Sequence, residues 1–241
     1  MPNKRKQYRH PVELESAEIT PLASVDAHMG EEPVRVVNIS IGGLALVFEK
    51  QKEFNPGDVI ELSLSIRDRA FPIQVEIKAN RGLRYSCQFV EISPACENAL
   101  EAFMGPKTIG ESFVLNEKLS DNAEALSLVK GAKKYRAFVG KDESVAFVWL
   151  DEQLFLKRLF VSSNTKVLEW TSDLGLRTGV FEEASPDEPR YHSSVDEMLK
   201  LYFADIVMSW MPGEAGMQFT KQLLNIETKE LQCAGLFIPV E

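Results

Sequence analysis

The chain has 241 residues, of which 44% are hydrophobic and 26% charged, and this composition excludes fibrous and intrinsically disordered classes. Its net charge of −9 argues against a protein that binds nucleic-acid polymers, because phosphate contacts require clustered cations. No stretch approaches the roughly 18 consecutive apolar residues of a membrane-spanning helix, and the N-terminus lacks the apolar core of a signal peptide. We therefore expect a cytoplasmic protein that is not inserted in a membrane.

The N-terminal tip is basic, unlike the rest of the chain. Residues 1–10 contain Lys4, Arg5, Lys6 and Arg9 and no acidic residue. The tip therefore carries a charge of +4, which leaves −13 on the remaining residues. A short basic run of this kind is typical either of a solvated tail or of an arm that binds an anion.

Residues 12–92 show short strand patterns separated by turn residues, which predicts a small barrel or a sandwich. In Val59–Ile66 and Phe71–Lys78 apolar residues alternate with polar ones, so each segment is predicted to be a strand with one buried face. The other predicted strands are Val12–Ile19, Val34–Val37, Gly43–Phe48 and Leu83–Ile92. Six antiparallel strands are enough to close a barrel.

A helix is predicted to follow the barrel. It covers Ala95–Met104 and is expected to end at Gly105-Pro106, because both residue types interrupt helices. Residues 105–118 are interpreted as the connection to a second unit. We therefore predict a barrel domain at residues 1–110 and a second domain at residues 115–241.

The second domain is predicted to be a mixed α/β (α+β) fold. Its predicted helices are Ser120–Gly131, Ser194–Met211 and Glu214–Ile226, and its predicted strands are Tyr135–Val139, Ser144–Leu150, Lys166–Trp170, Thr178–Phe181 and Leu231–Ile238. Gln153–Val161 fits either period, and the interpretation favours a helix. The acidic residues within 182–189 are interpreted as a solvated loop. The apolar stripe of Ser194–Met211 is too wide for a surface helix, which indicates a core helix or one that binds a partner, including a second copy of the chain.

The sequence contains no pattern that predicts catalysis or a metal centre. The three cysteines and three histidines form neither a disulfide framework nor a close metal-ligand spacing. A Gly-rich phosphate loop and a Gly-x-Ser-x-Gly elbow are both absent from the sequence. His192, Ser193 and Asp196 are triad residue types, but adjacency in sequence is not triad geometry. We therefore predict no catalytic residue, no metal and no cofactor.

Two short motifs stand at the start of the first unit. One is an Arg-x-x-x-Arg pattern at Arg5 and Arg9, and the other is Asn-x-Ser-x-Gly-Gly over residues 38–43. Together they resemble the PilZ domain, a bacterial receptor module for the second messenger cyclic di-GMP (c-di-GMP). The resemblance covers residues 5 to about 105 and includes a Gly57-Asp58 turn before a strand. It implies a six-stranded antiparallel β-barrel followed by a helix.

The resemblance also implies a set of ligand-binding residues. Arg5 and Arg9 would hold guanine and phosphate, while Asn38, Ser40, Gly42 and Gly43 would form the guanine pocket. Asn38 replaces an Asp that is often found first in this motif, which removes one carboxylate acceptor. In the family, the residue at the position of Lys4 bears on whether one or two stacked ligand molecules bind.

The residue types suit this ligand on chemical grounds. The arginine guanidinium pairs with phosphate or with guanine O6 and N7, and its flat face stacks on purines. Asn38 and Ser40 are two residues apart, so they face the same side of an extended strand and can hydrogen-bond a guanine edge. Gly42 and Gly43 allow the backbone to bend and the ligand to approach without a Cβ.

We therefore expect a cytoplasmic c-di-GMP receptor without enzymatic activity. The ligand would hold the basic N-terminal tip, residues 1–10 and here called the basic arm, against the barrel. The second domain would then change its contacts with a protein partner. One alternative is a PilZ-like scaffold that binds proteins and no nucleotide. Another is a ligand-regulated enzyme whose activity lies in the second domain, and a homodimer also stays open.

Overall fold

The structure is a computed structural model that describes residues 10–11, 25–67, 69–183, 185–211, 214–225, 230–231 and 233. The chain divides into two compact units, Met1–Gly105 and Pro106–Glu241. The predicted strand Val12–Ile19 and the predicted site residues Lys4, Arg5 and Arg9 lie outside the described residues.

The first unit is a β-barrel followed by a helix. Its strands are β1 (His10–Pro11), β2 (Val25–Met29), β3 (Glu32–Ser40), β4 (Gly43–Val47), β5 (Val59–Ile66), β6 (Arg69–Arg81) and β7 (Arg84–Glu91). Strands β2 to β7 form a closed six-stranded antiparallel barrel in the order β3-β2-β5-β6-β7-β4, which the β3–β4 pairing closes. The short strand β1 adds to β3. The predicted antiparallel barrel is confirmed.

Side-chain alternation explains most of the barrel. In β5, Ile60, Leu62 and Leu64 point into the barrel core and the residues between them face outward. Strand β2 was not predicted, because its five residues contain only two buried apolar side chains, Val25 and Ala27. So short an alternation is too weak to stand out in the sequence.

The helix after the barrel, α1 (Pro94–Ser112), is longer than predicted. It continues through Gly105 and Pro106, so the predicted end at Met104 and the predicted connection over residues 105–118 are wrong there. Side chains on both sides of this point are buried, Phe103 in the core of the first unit and Ile109 in that of the second. Their burial outweighs the local helix-breaking tendency of glycine and proline.

The second unit is a single antiparallel sheet with helices, which confirms the predicted mixed α/β class. Its elements are β8 (Val114–Leu115), α2 (Glu117–Ser120), α3 (Ala123–Ser127), β9 (Lys134–Val139), β10 (Val145–Leu150), β11 (Leu156–Ser163), β12 (Lys166–Thr171), β13 (Gly175–Glu182), β14 (Ser185–Tyr191), α4 (Glu197–Trp210) and α5 (Glu214–Leu224). The seven strands β8 to β14 pair in sequence order.

Three predictions for this unit are wrong. Residues 153–161, for which a helix was favoured, contain most of strand β11, which pairs with β10 and β12 along its length. The acidic segment over residues 182–189 is largely strand β14, which pairs with β13. The predicted helix Ser120–Gly131 is instead two short helices, because the Asn122 side chain accepts a hydrogen bond from the Ala125 amide and starts a new helix there.

One face of the second sheet forms the larger core of this unit. Trp170 and Leu168 of β12 pack there with Phe203, Ile206 and Val207 of α4, all of them fully buried. The wide apolar stripe predicted for this helix is thus a core-facing surface. Within the described ranges, no helix is long and apolar enough to cross a membrane.

Candidate functional site

The Asn-x-Ser-x-Gly-Gly motif lies where β3 turns into β4. Asn38 and Ser40 end β3, and Gly43 begins β4. The tight turn pairs Ser40 with Gly43, and the Ser40 hydroxyl donates a hydrogen bond of 3.1 Å to the Gly43 carbonyl oxygen. Ser40 is buried, so its hydroxyl proton closes the turn and only its oxygen lone pairs remain available to a ligand.

A bulge in β3 decides which way Asn38 faces. Val34 and Val36 point into the barrel core, but the next core residue is Ile39, three positions later. The pairing of β3 with β4 shifts between Val36 and Asn38, which is the extra residue of a β-bulge. Without this bulge the alternation would turn Asn38 into the core. With it, Asn38 and Ser40 lie on the outer face of the barrel.

The Asn38 side chain has an unused hydrogen-bond acceptor. Its Oδ1 atom is buried and has no hydrogen-bond partner among the described residues. A buried polar atom without a partner costs roughly 1–3 kcal/mol. An amide oxygen in this position can accept from the N1 or N2 hydrogens of a guanine, so the atom fits the predicted pocket.

Gly43 is required by the packing of β4 on β7. A Cβ atom added to Gly43 would lie 2.2 Å from the carbonyl oxygen of Cys87 and 2.9 Å from the Cα of Gln88. The neighbouring Gly42 carbonyl accepts a hydrogen bond of 3.2 Å from the Phe89 amide. The glycine pair therefore keeps the outer surface of β4 flat and free of side chains beside Ser40.

Strand β1, residues 10 and 11, pairs with β3 at this motif. His10 pairs with Ile39 and Pro11 pairs with Asn38. His10, which directly follows Arg9 in the sequence, thus lies beside Ile39 of the Asn-x-Ser-x-Gly-Gly motif. Chain connectivity alone therefore limits the distance between the two motifs, since consecutive Cα atoms are about 3.8 Å apart.

Two further residues belong to this surface and were missed in the sequence. Gln88 of β7 pairs with Gly43, and Ser86 pairs with Ala45. Tyr85 and Cys87 point into the barrel core, so Ser86 and Gln88 face outward on the same side as Asn38 and Ser40. The alternation of residues within β7 could have shown that Ser86 and Gln88 face outward. That they lie beside the motif depends on the β4–β7 pairing, which no local sequence pattern reveals.

The described residues of this surface include neither a metal-binding cluster nor an exposed thiol. No group of His, Cys, Asp or Glu side chains able to hold a metal was found in the part of the chain that the structure describes. Cys87 and Cys96 are both buried in the barrel unit, and burial raises the pKa of the Cys96 thiol. What the surface offers is amide and hydroxyl groups around a flat glycine backbone.

Comparison with known proteins finds a family match for the first unit. The family model of the PilZ domain matches residues 3–105. No curated protein matches the chain. Among solved structures, an uncharacterized Legionella protein has 21% identity and a TM-score of 0.28, covering 42% of this chain and 90% of its own. The PilZ domain with c-di-GMP of YcgR from Escherichia coli has 16% identity and a TM-score of 0.31, covering 41% and 87%.

Proposed function

We propose that this chain, whose residues 3–105 match the family model of the PilZ domain, is a cytoplasmic c-di-GMP receptor that senses the ligand with the basic arm and the β3–β4 turn. The pairing of β1 with β3 carries the proposal, because His10, which follows Arg9 in the sequence, pairs with Ile39 inside the Asn-x-Ser-x-Gly-Gly motif. The Asn38 Oδ1 atom, which has no hydrogen-bond partner among the described residues, and the flat backbone at Gly43 support it.

In the proposed complex, Arg5 and Arg9 bind phosphate and the acceptor edge of guanine. Their guanidinium groups also stack on the purine rings. The Asn38 Oδ1 atom accepts a hydrogen bond from the N1 or N2 hydrogens of a guanine. Gln88 provides a second amide group for the ligand. Lys4 adds a further positive charge to the arm. The surface of Gly42 and Gly43 receives the ligand, which holds the arm against the barrel.

The second unit is proposed to act as the output. PilZ domain proteins are receptors rather than enzymes, and we propose no catalytic role for either unit. When the ligand fixes the arm, the second unit changes its contacts with a protein partner. We propose neither membrane insertion nor binding of a nucleic-acid polymer.

The test is isothermal titration of c-di-GMP into the wild-type chain and into the Arg5→Ala, Arg9→Ala double variant. Each bidentate arginine contact contributes about 1–3 kcal/mol, so we expect the double variant to bind at least about 30-fold more weakly. GTP and cyclic AMP serve as ligand controls. The number of ligands per chain follows from the same titration.

A matched variant separates specific contacts from a general loss of charge. Arg69 and Arg81 are exposed at the two ends of β6, and the Arg69→Ala, Arg81→Ala variant removes the same charge as the arm variant. It should bind c-di-GMP with wild-type affinity. If the wild-type chain gives no binding heat and no thermal stabilisation with c-di-GMP, the receptor proposal is wrong and the scaffold alternative stands.

A further inference from the structure

The second sheet carries a groove on the face opposite α4. The groove has a volume of about 490 Å³, within the range of small-ligand sites. Six aromatic side chains line it, namely Tyr135, Phe147, Trp149, Phe160, Phe181 and Tyr191. Leu128 stands at one side, and Glu169, Arg158 and Arg177 are the charged groups between the strands. This combination of apolar walls and a few convergent polar groups is typical of a binding site.

The floor of the groove is a buried carboxylate that two arginines share. Glu169 is 1% exposed. The Arg158 Nε atom lies 2.6 Å from Glu169 Oε1, and Arg177 pairs with the other carboxylate oxygen. The Tyr191 hydroxyl donates to the same carboxylate, and burial, followed by this hydrogen bond, raises the pKa of Tyr191. The phenol therefore stays neutral at physiological pH.

This arrangement leaves one positive charge in excess at the floor. Two guanidinium groups face one carboxylate, and they carry many more N–H donors than its two oxygens can accept. The Arg158 and Arg177 side chains are 29% and 34% exposed, so solvent reaches both. Glu188 is the other charged residue of the lining, so the whole lining has two basic and two acidic side chains. Because Glu188 is exposed, the positive excess is local to the floor, where only Glu169, among the described residues, pairs with the arginines.

The arginines are held in fixed orientations. Arg158 lies over the Trp149 ring at 4.9 Å and Arg177 over the Tyr191 ring at 4.1 Å. The Trp149 indole is fixed in turn, because its Nε1 donates to the Ala125 carbonyl oxygen at 2.8 Å. A guanidinium fixed in this way loses little conformational entropy when it binds a carboxylate.

The walls favour a flat apolar group. Phe147 and Phe160 are stacked, with ring centroids 6.0 Å apart and an interplanar angle of 19°. Both rings are only partly buried. A planar aromatic body can cover them, while a negative charge on the same molecule reaches Arg158 and Arg177.

We propose that this groove is a second binding site, specific for small organic carboxylates with a flat aromatic body. The proposal is separate from c-di-GMP sensing, because all the groove residues belong to the second unit. The carboxylate meets the excess charge of the arginine pair, and the aromatic body covers Phe147 and Phe160.

The test compares three probes that share one ring system. 2-Naphthoate, 2-naphthylmethanol and 2-naphthylmethylamine are titrated into the full ¹⁵N-labelled chain, followed by NMR and calorimetry. We expect 2-naphthoate to bind at least about tenfold more tightly than the neutral alcohol, equivalent to about 1.4 kcal/mol. The amine, a cation at neutral pH, should bind more weakly still. Perturbed amides should cluster in α3 and β11.

Leu128 provides matched variants that should not unfold the protein. Its side chain is 71% exposed at the groove, so both Leu128→Glu and Leu128→Lys are tolerated there. Leu128→Glu should weaken 2-naphthoate binding at least about tenfold through like-charge repulsion, and Leu128→Lys should preserve it. Met198 on α4 is 68% exposed and lies outside the groove, so Met198→Glu is the control and should have no effect.

Several results would overturn the proposal. Equal affinity for the three probes would show that the arginine pair does not select charge, and the absence of shifts in α3 and β11 would place any binding elsewhere. The Arg5→Ala, Arg9→Ala variant should retain 2-naphthoate binding. Failure of the groove and failure of the c-di-GMP site are therefore distinguished by separate ligands and separate variants.

Discussion

At Gly43 the backbones of β4 and β7 approach so closely that a single methyl group matters. The Cys87 carbonyl oxygen that a Cβ would meet at 2.2 Å belongs to the β4–β7 ladder, which helps to close the barrel. A backbone atom cannot move aside as a flexible side chain can. Any larger residue at this position must push the two strands apart.

We predict that Gly43→Ala destabilises the first unit by about 1–3 kcal/mol and weakens c-di-GMP binding. All three tryptophans, Trp149, Trp170 and Trp210, lie in the second unit. In urea denaturation, the circular dichroism transition of the barrel should therefore move to lower urea while the tryptophan fluorescence transition stays in place. Wild-type stability together with wild-type affinity would contradict the close approach.

The sequence predicts the site at the level of residue types but not of their surroundings. Asn38 and Ser40 are found from the motif alone, and their spacing correctly places them on one face. That this face is the outer one depends on the bulge between Val36 and Asn38, because strict alternation would have turned Asn38 inward. Gln88 enters only through its pairing with Gly43. Pairing partners are distant in sequence, so local patterns cannot reveal them.

Among the elements, α1 departs furthest from local sequence signals. Its Gly105-Pro106 pair predicts an end, yet the helix continues to Ser112. Its second half packs on α4, where Lys107 Nζ lies 3.5 Å from Asp205 Oδ1. Gly110 allows this packing, because an added Cβ would lie 2.1 Å from the Ile206 carbonyl oxygen. Tertiary contacts thus override helix propensity here, as they do in β11, where both neighbouring strands supply hydrogen bonds.

The α1–α4 packing leads to a second glycine-to-alanine prediction. Gly110→Ala should force the two helices apart and destabilise the second unit by about 1–3 kcal/mol, despite the better helix propensity of alanine. The tryptophan fluorescence transition should move to lower urea. Gly105 is the matched control within the same helix, because a Cβ there meets nothing within 4 Å.

Gly105→Ala should leave the protein equally stable or stabilise it by up to about 1 kcal/mol. If both alanine variants behaved alike, helix propensity rather than the close approach would govern α1.

The two glycines are also informative about prediction from sequence. Residues 105 and 110 were interpreted as parts of one connection, but only the second is required to be glycine by its neighbours.

For the whole molecule, the main question is whether ligand binding in the first unit is felt in the second. Helix α1 is continuous and places Leu100 and Phe103 in the first core and Ile109 in the second. A shared helix does not by itself demonstrate coupling, which has to be measured. The proposed output role requires that such coupling exists.

We predict that c-di-GMP changes hydrogen exchange beyond residue 110, in α4 as well as in the arm and the barrel. A ligand that binds only one state of the protein must alter local opening free energies wherever the two states differ. The measurement is hydrogen–deuterium exchange of the full chain with and without saturating c-di-GMP. The Arg5→Ala, Arg9→Ala variant should lose every ligand-dependent change, and Gly110→Ala should reduce those in α4.

Changes restricted to the first 110 residues would leave the receptor proposal intact but remove the second unit as its output. The partner would then have to bind the barrel itself, and the groove of the second sheet would serve a separate ligand-binding role.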